Sequence, residues 1–420
     1  MTFFVVKIAA MALGIGTGVM YTLLFFSLYF EVFLLVAFIE NMRSKQKTVR
    51  KAIAHFPTVA IIVPCFNESR TLGNTMRSLL ALDYPRKKIE FLIVDDGSKD
   101  NTLEIARVYE SDPRVRVFHK ENGGKHTAMN LGLANTQAEL IGCLDADSIV
   151  DRGALREIVP VFNNTLVAAV TPCIHVNEPK TILQHMQNVE YRLSVFNRFI
   201  FAVLGSVFIT PGPFSIFRTK VIRELGAWHY AHSTEDMEMA LRMQAKGLVI
   251  ANAPRAIVYT NTPPTIRGLF RQRVRWTYGW LRNMSDYRRM LGNRRFGDLG
   301  LVILPSALIS IVAGIYFFIR IVWYGTLEFY DTYTRTAILG VHPSTSYDLF
   351  YLNTSVMMFL VLTSIGLILT LICIGSLIGT GSRRPPAFTP LFMLFYSFLT
   401  PLWLIAAVFR AAFKTGVQWR

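Results

Sequence analysis

Leu140-Ile-Gly-Cys-Leu144 runs straight into Asp145-Ala-Asp147. A short apolar run closed by acidic residues reads as a strand buried on both faces, its carboxyl end reaching solvent. The pattern recurs upstream. Val59-Ala-Ile-Ile-Val-Pro64 leads into Asn67-Glu68-Ser69, and Ile89-Glu-Phe-Leu-Ile-Val94 into Asp95-Asp96-Gly97. Val115-Arg-Val-Phe-His119 is a further strand. Helical patterns lie between them: Thr71 to Leu82, a helix from near Asp100 with Asp and Asn as N-cap residues, and Gly124 to Ala134. Strands alternating with helices predict βαβ units and a mainly parallel sheet. Ligands of open α/β sheets bind at the carboxyl ends of the strands. Asn67, Glu68, Asp95, Asp96, Asp145 and Asp147 are therefore expected on one rim.

Outside this region the chain changes character. Of 420 residues, 52% are hydrophobic and only 17% charged, against about 25% in ordinary globular chains. The deficit falls in four nearly charge-free segments, Ala10–Ile39, Leu299–Trp323, Leu352–Ile378 and Phe388–Phe413. Each has the roughly 20 apolar residues a bilayer span needs. The first is far longer than the 7–15-residue core of a signal peptide and reads as a retained anchor.

The formal charge of +16 raises nucleic acid as a partner, but its distribution argues against one. Arg43, Lys45, Lys47, Arg50 and Lys51 follow the first span, a run of arginines from Arg267 to Arg295 leads into the second, and Arg383 and Arg384 join the last two. Basic residues beside spans mark the cytoplasmic side, so 41–298 is expected in the cytoplasm and the 325–350 loop, with only Arg335, outside. Lys414 and Arg420 then fall outside, against the rule. None of the four cysteines has metal-site spacing, and Cys65 and Cys143 read as small buried hydrophobes.

Five motifs carry chemistry, and each has an ordinary alternative. Asp145-Ala-Asp147 can share a hard cation, Mg²⁺ or Mn²⁺, with substrate phosphates, or be an acidic turn. Asp95 and Asp96 can accept hydrogen bonds from a base or ribose, or form a turn closed by Gly97. Gly123-Gly124-Lys125 can bring backbone amides and an ammonium to a phosphate, or simply open a helix. Ser233-Thr234-Glu235-Asp236 can supply a general base, or an N-cap with acidic first-turn residues. Gln272-Arg-Val-Arg275-Trp276 can bind a pyrophosphate and a sugar ring, or form a juxtamembrane helix.

In this order, with spans on both sides, these motifs resemble the processive family-2 glycosyltransferases, the cellulose, chitin, hyaluronan and poly-N-acetylglucosamine synthases. The resemblance covers Thr58 to Trp276 and rests most on Thr234-Glu235-Asp236 with Gln272-x-x-Arg275-Trp276. It implies a GT-A nucleotide-sugar-binding fold inserted between transmembrane helices. It implies that Asp95, Asp96, Asn67 and Glu68 line the uridine pocket and that Lys125 lies near the diphosphate. It further implies Asp147 as metal ligand with Asp145 supporting, and Asp236 as catalytic base with Glu235 beside it. Gln272 and Arg275 would hold the diphosphate, and Trp276 and Thr234 the acceptor. Size and span count look most like a poly-N-acetylglucosamine synthase catalytic subunit. One departure is Thr210-Pro-Gly-Pro-Phe214, where the family often has Ser-Gly by the acceptor.

The expected organisation is an anchor at 1–41, a cytoplasmic catalytic domain at 42–262, interfacial helices at 263–298 and three spans within 299–420. The expected partners are a UDP-sugar, UDP-GlcNAc in particular, a saccharide acceptor, the plasma (inner) membrane bilayer and a small accessory membrane subunit, with no nucleic acid. A transferase adding a single sugar to a lipid-linked or short glycan is the alternative, and a transporter with a degenerate catalytic domain is the other class.

Overall fold

The structure is a computed structural model describing residues 2–44, 55–340 and 355–413. Lys45, Lys47, Arg50, Lys51, Lys414 and Arg420, residues 341–350 of the expected external loop and 352–354 of the third expected span lie outside the described residues.

Helix α1 (Thr2–Ser44) precedes an α/β domain. Its strands are β1 (Val59–Cys65), β2 (Ile89–Asp95), β3 (Val115–His119), β4 (Leu140–Cys143), β5 (Ser148–Val150), β6 (Val167–Val176), β7 (Ser215–Arg218) and β8 (Val249–Thr260). Between them run α2 (Leu72–Leu80), α3 (Thr102–Val108), α4 (Lys125–Ala134), α5 (Ala154–Ile158), α6 (Ile182–Val203), α7 (Thr219–Glu224) and α8 (Glu235–Ala245). After β8 come α9 (Ile266–Asp286), α10 (Leu304–Leu339) and α11 (Val356–Thr380), then a last helix, α12 (Thr389–Ala412).

The eight strands form one sheet in the order β3-β2-β1-β4-β7-β6-β8-β5. β1 to β4 are parallel, as the alternating pattern predicts. Chain order reverses across β1, whose partners are β2 and β4, and that switch point opens the crevice. The far half is mixed: β7 runs antiparallel to β4 and β6, and β5 antiparallel to β8. One face packs on α2 and α5 through Leu72, Met76, Phe91 and Leu155, the other on α4 and α8 through Ile62, Met129, Met239 and Met243. The helix near Asp100 starts at Thr102, and its cap contact comes from Asp100, which accepts the Thr102 amide at 3.1 Å, rather than from Asn101.

Among the described residues, four helices are long and apolar enough to cross a membrane: Gly16–Arg43, Leu299–Ile338, Val356–Thr380 and Thr389–Ala412. The second corrects an expectation. Residues 325–339 are helical, not loop, with the Thr326 and Thr334 hydroxyls bonded to carbonyls one turn back and Arg335 paired with Asp331 at 2.9 Å. Each of these keeps a polar side chain satisfied without leaving the helix.

The apolar helices pack on the α/β domain. α11 lies on α6, and Gly375 and Gly379, one turn apart, make the approach. A Cβ at Gly375 would overlap the Arg192 carbonyl, and one at Gly379 would press on the His175 ring at 3.2 Å. Small residues at this spacing let helix backbones come close. Gly366 of the same helix faces open space. Gly375→Ala should therefore destabilise the protein by about 1–3 kcal/mol through overpacking, seen as a lower melting temperature in detergent, while Gly366→Ala should not.

Candidate active site

The Lys125 side chain opens α4 and is 11% exposed, and its Nζ lies 2.6 Å from Asp145 Oδ1 and 3.3 Å from Glu235 Oε1. One ammonium therefore joins the end of β4, the start of α4 and the start of α8. Burial works against its charge, but the two carboxylates hold it well above the ordinary lysine range. Gly212 lies against this pair: a Cβ there would stand 2.5 Å from Lys125 Nζ and 2.8 Å from Asp145 Oδ2. The departure at 210–214 thus has a structural use. Thr210 gives both its amide (3.2 Å) and its hydroxyl (2.8 Å) to the Asp236 carbonyl, and Pro211 O accepts the Ser215 hydroxyl at 2.6 Å.

Asp236 sits in the first turn of α8 behind Glu235. Burial, with the Glu235 charge adding to it, pushes its carboxyl up to about 6, against the pull of Lys125. Thr234 holds the N-cap position, but its side chain caps nothing. Its hydroxyl donates to Ala231 O at 3.2 Å and accepts from Asn283 Nδ2 at 2.8 Å. The cap reading of this motif is corrected on that point: the threonine faces α9, not its own helix. Ala231, His232 and Ser233 just before it all have positive φ (44°, 53° and 66°), a costly run for residues with a Cβ. His232 is tied to Asp286 at 2.9 Å.

α9 packs on the turn before α8 on one side and on α12 on the other. Arg275 donates to Ser233 O at 3.4 Å, and Gly279 touches Thr234 so closely that any Cβ would overlap it. Gln272 Oε1 accepts from Arg273, and Trp276 is 38% exposed. The two motifs at Thr234 and Gln272 are therefore in direct contact, though 38 residues separate these positions.

The remaining rim residues form the loops after β1 and β2. Asn67, at φ 57°, gives its amide to Ser98 Oγ and accepts the Lys99 amide at 2.8 Å. The Glu68 carboxylate accepts from Thr71 Oγ1 at 2.7 Å. Asp95 is buried, 2.7 Å from His119 Nδ1. Asp96 accepts from Lys120 Nζ (2.6 Å) and from the amides of Gly123 (3.1 Å) and Gly124 (2.8 Å). That corrects the reading of the glycine turn, whose amides bind the protein's own carboxylate and so orient Lys125. Gly97 at φ 75° lets Asn122 approach, as a turn there requires.

No group of three or more His, Cys, Asp or Glu side chains among the described residues could hold a metal on its own. Asp145 and Asp147 are two all-oxygen donors, which suits Mg²⁺ or Mn²⁺ where substrate phosphates and water complete the shell. Asp147 accepts from Ser148 Oγ at 3.2 Å, and Ser148 is braced by Thr260 at 3.1 Å. The residues fit a shared cation better than a fully protein-bound one.

Sequence reasoning missed Asn283 and gave Thr210 and Gly212 no role. Asn283 lies seven residues beyond Trp276, on the same side of α9, so helical periodicity from the motif was the available signal.

A sheet of this order, parallel over β1 to β4 and mixed beyond, with acidic turns after β2 and β4, is a fold of GT-A type. The family described as glycosyltransferase like family 2 matches residues 57–279, and the chain belongs to that family. It is 30% identical over 267 residues to a poly-β-1,6-N-acetyl-D-glucosamine synthase of Staphylococcus epidermidis, covering 61% of this chain and 64% of that one. With the Staphylococcus aureus synthase of the same name it shares 32% over 225 residues, 53% and 54% of the two chains. The matches thus span less than two thirds of those relatives. A mannosyltransferase from Pyrobaculum calidifontis in complex with GDP-Man and Mn²⁺ shares the fold, with TM-score 0.59, 18% identity and coverage of 95% and 97%.

The raised Asp236 carboxyl gives a pH signature. A general base at Asp236 would have to be ionised, and burial with the Glu235 charge raises this carboxyl from the ordinary 3.8 to about 6. Sugar transfer at saturating donor should fall as pH drops through about 6, with one proton. A rate level down to the ordinary aspartate range near 4 would be the contrary result.

Proposed function

We propose that the chain transfers a sugar, with inversion, from a UDP-sugar, UDP-N-acetylglucosamine being the best match, to the non-reducing end of a growing β-linked polysaccharide. The catalytic domain faces the cytoplasm, and the four apolar helices lie in the plasma membrane and couple chain growth to export. The observation that carries this reading is the contact between the Thr234–Asp236 turn and the Gln272–Trp276 helix across Thr234, Arg275 and Gly279. It ties the turn that carries the raised Asp236 carboxyl to the helix that carries Arg275 and the exposed Trp276. The names of the staphylococcal relatives support the sugar.

In this reading Asp236 takes the proton of the acceptor hydroxyl as that oxygen attacks the anomeric carbon, and the bond to the nucleoside diphosphate breaks. Glu235 and the buried surroundings keep Asp236 basic enough for that task. Asn67, Glu68, Asp95 and Asp96 shape the nucleotide end of the crevice. Lys125 holds Asp145 and Glu235 in place beside the diphosphate. Gln272 and Arg275 stabilise its growing charge, and Trp276 with Thr234 flanks the acceptor. Asp147, with Asp145 in support, would hold Mg²⁺ or Mn²⁺, whose chemistry is charge neutralisation at the diphosphate. A small accessory membrane subunit is compatible with this layout.

The test is purified chain in nanodiscs given UDP-sugars with Mg²⁺ or Mn²⁺, with the product sized. UDP-N-acetylglucosamine should yield long chains. Asp236→Asn should lower turnover by about 10²–10⁴ while UDP-sugar affinity survives. A merely structural first-turn aspartate would cost about 0.3–1 kcal/mol of helix stability and leave turnover near normal, which would remove the base assignment.

A further inference from the structure

Arg273 has no part in the mechanism above, yet it is among the most enclosed charges in the protein. It is 4% exposed, on α9, three residues before Trp276 and hence on the same helix face. Its Cζ lies 4.3 Å from the centre of the Trp276 ring. Its Nη2 donates to Glu190 Oε2 of α6 at 2.6 Å. The same Glu190 oxygen accepts the hydroxyl of Tyr396 at 2.6 Å. Tyr396 is buried at the end of a π-helical turn, Phe392–Tyr396, inside α12. A wide turn of this kind costs regular hydrogen bonding and recurs at functional sites.

Packing alone does not require this arrangement. The same three helices already share an apolar cluster that includes Met186, Val274, Tyr278, Trp403 and Leu404. Burying an ion pair in such a place is poor value for stability, since apolar side chains of equal volume hold helices at least as well. What an apolar substitute cannot do is fix the plane of an indole. A guanidinium over one face is attracted to the ring, sets its tilt and leaves the opposite face free. Trp276 is 38% exposed, the most exposed member of the group, with Arg273 over its ring.

We propose that Arg273 is a positioning residue for the acceptor platform: it holds one face of Trp276 so that the other meets the acceptor sugar, and Glu190 and Tyr396 hold Arg273. The inner end of α12 then sets the angle of the surface on which the growing chain rests. This rests on the reading of Trp276 as an acceptor residue.

The experiment uses the full chain in nanodiscs with UDP-N-acetylglucosamine and a soluble β-1,6-linked N-acetylglucosamine oligosaccharide. Tyr396→Phe removes one hydroxyl and keeps the ring, so folding is preserved, and Arg273→Met is compared with Arg273→Lys. The acceptor KM should rise by about two- to thirtyfold in Tyr396→Phe and Arg273→Met, with donor KM and kcat little changed. Arg273→Lys should recover part of the loss. The emission of Trp276, taken as the difference between each protein and the same protein carrying Trp276→Phe, should shift in Tyr396→Phe whether or not the oligosaccharide is the right acceptor. Unshifted emission overturns the proposal. So does a fall in kcat at constant acceptor KM, which marks a structural staple. If Trp276→Ala raises the acceptor KM and the other variants do not, the positioning role fails alone. If Trp276→Ala leaves it unchanged while transfer continues, the acceptor reading fails as well.

Discussion

One buried ammonium between two carboxylates organises the site. Lys125 without Asp145 and Glu235 would be an uncompensated buried charge, costing several kcal/mol, and the buried Glu235 without Lys125 would be no better off. The end of β4 and the starts of α4 and α8 must therefore arrive together. The neighbouring details follow. Asp96 gathers the Gly123 and Gly124 amides and so aims Lys125. Gly212 carries no side chain because the ion pair fills that space. Thr210 ties down the Asp236 backbone, leaving its carboxylate as the group whose protonation is free to change.

The membrane side answers to a different constraint. Helices in lipid gain little from apolar contact alone, so close approach and satisfied polar groups decide where they sit. Gly375 and Gly379 place α11 on α6. The hydroxyl of Tyr396 reaches Glu190, and through it Arg273. α9 thus touches the last helix through one set of residues and the Thr234–Asp236 turn through Arg275, Gly279 and Asn283. The contacts that hold the catalytic turn are continuous with those that hold the apolar helices.

Much of this was legible in the chain itself. Apolar runs ending in acids predicted the parallel half of the sheet and its rim, because a buried strand leaves no doubt about which end meets water. Charge-free runs located four helices for the same reason. The mixed half was not read: β5 and β7 are three and four residues long, too short to show a period, and the longer β6 and β8 were passed over. The left-handed run at 231–233 was hidden too, since no glycine announces it, and its ties to Asp286 and Arg275 of α9 are contacts distant in sequence. Asp96 and the glycine amides were each noticed as able to meet a ligand. That they satisfy each other is a matter of geometry, invisible in one dimension. Arg273 was passed over as an unspecified position within the Gln272–Trp276 motif.

The central claim is that Asp236 is a base whose proton affinity is set by this charge cluster. The pH–rate profile of Glu235→Gln against the unaltered chain, at saturating donor, tests it most directly. Removing Glu235 takes away a charge that raises Asp236 and frees Lys125 to oppose it less divided. The acid limb should move to lower pH. A limb that stays in place, or moves to higher pH, would contradict the account.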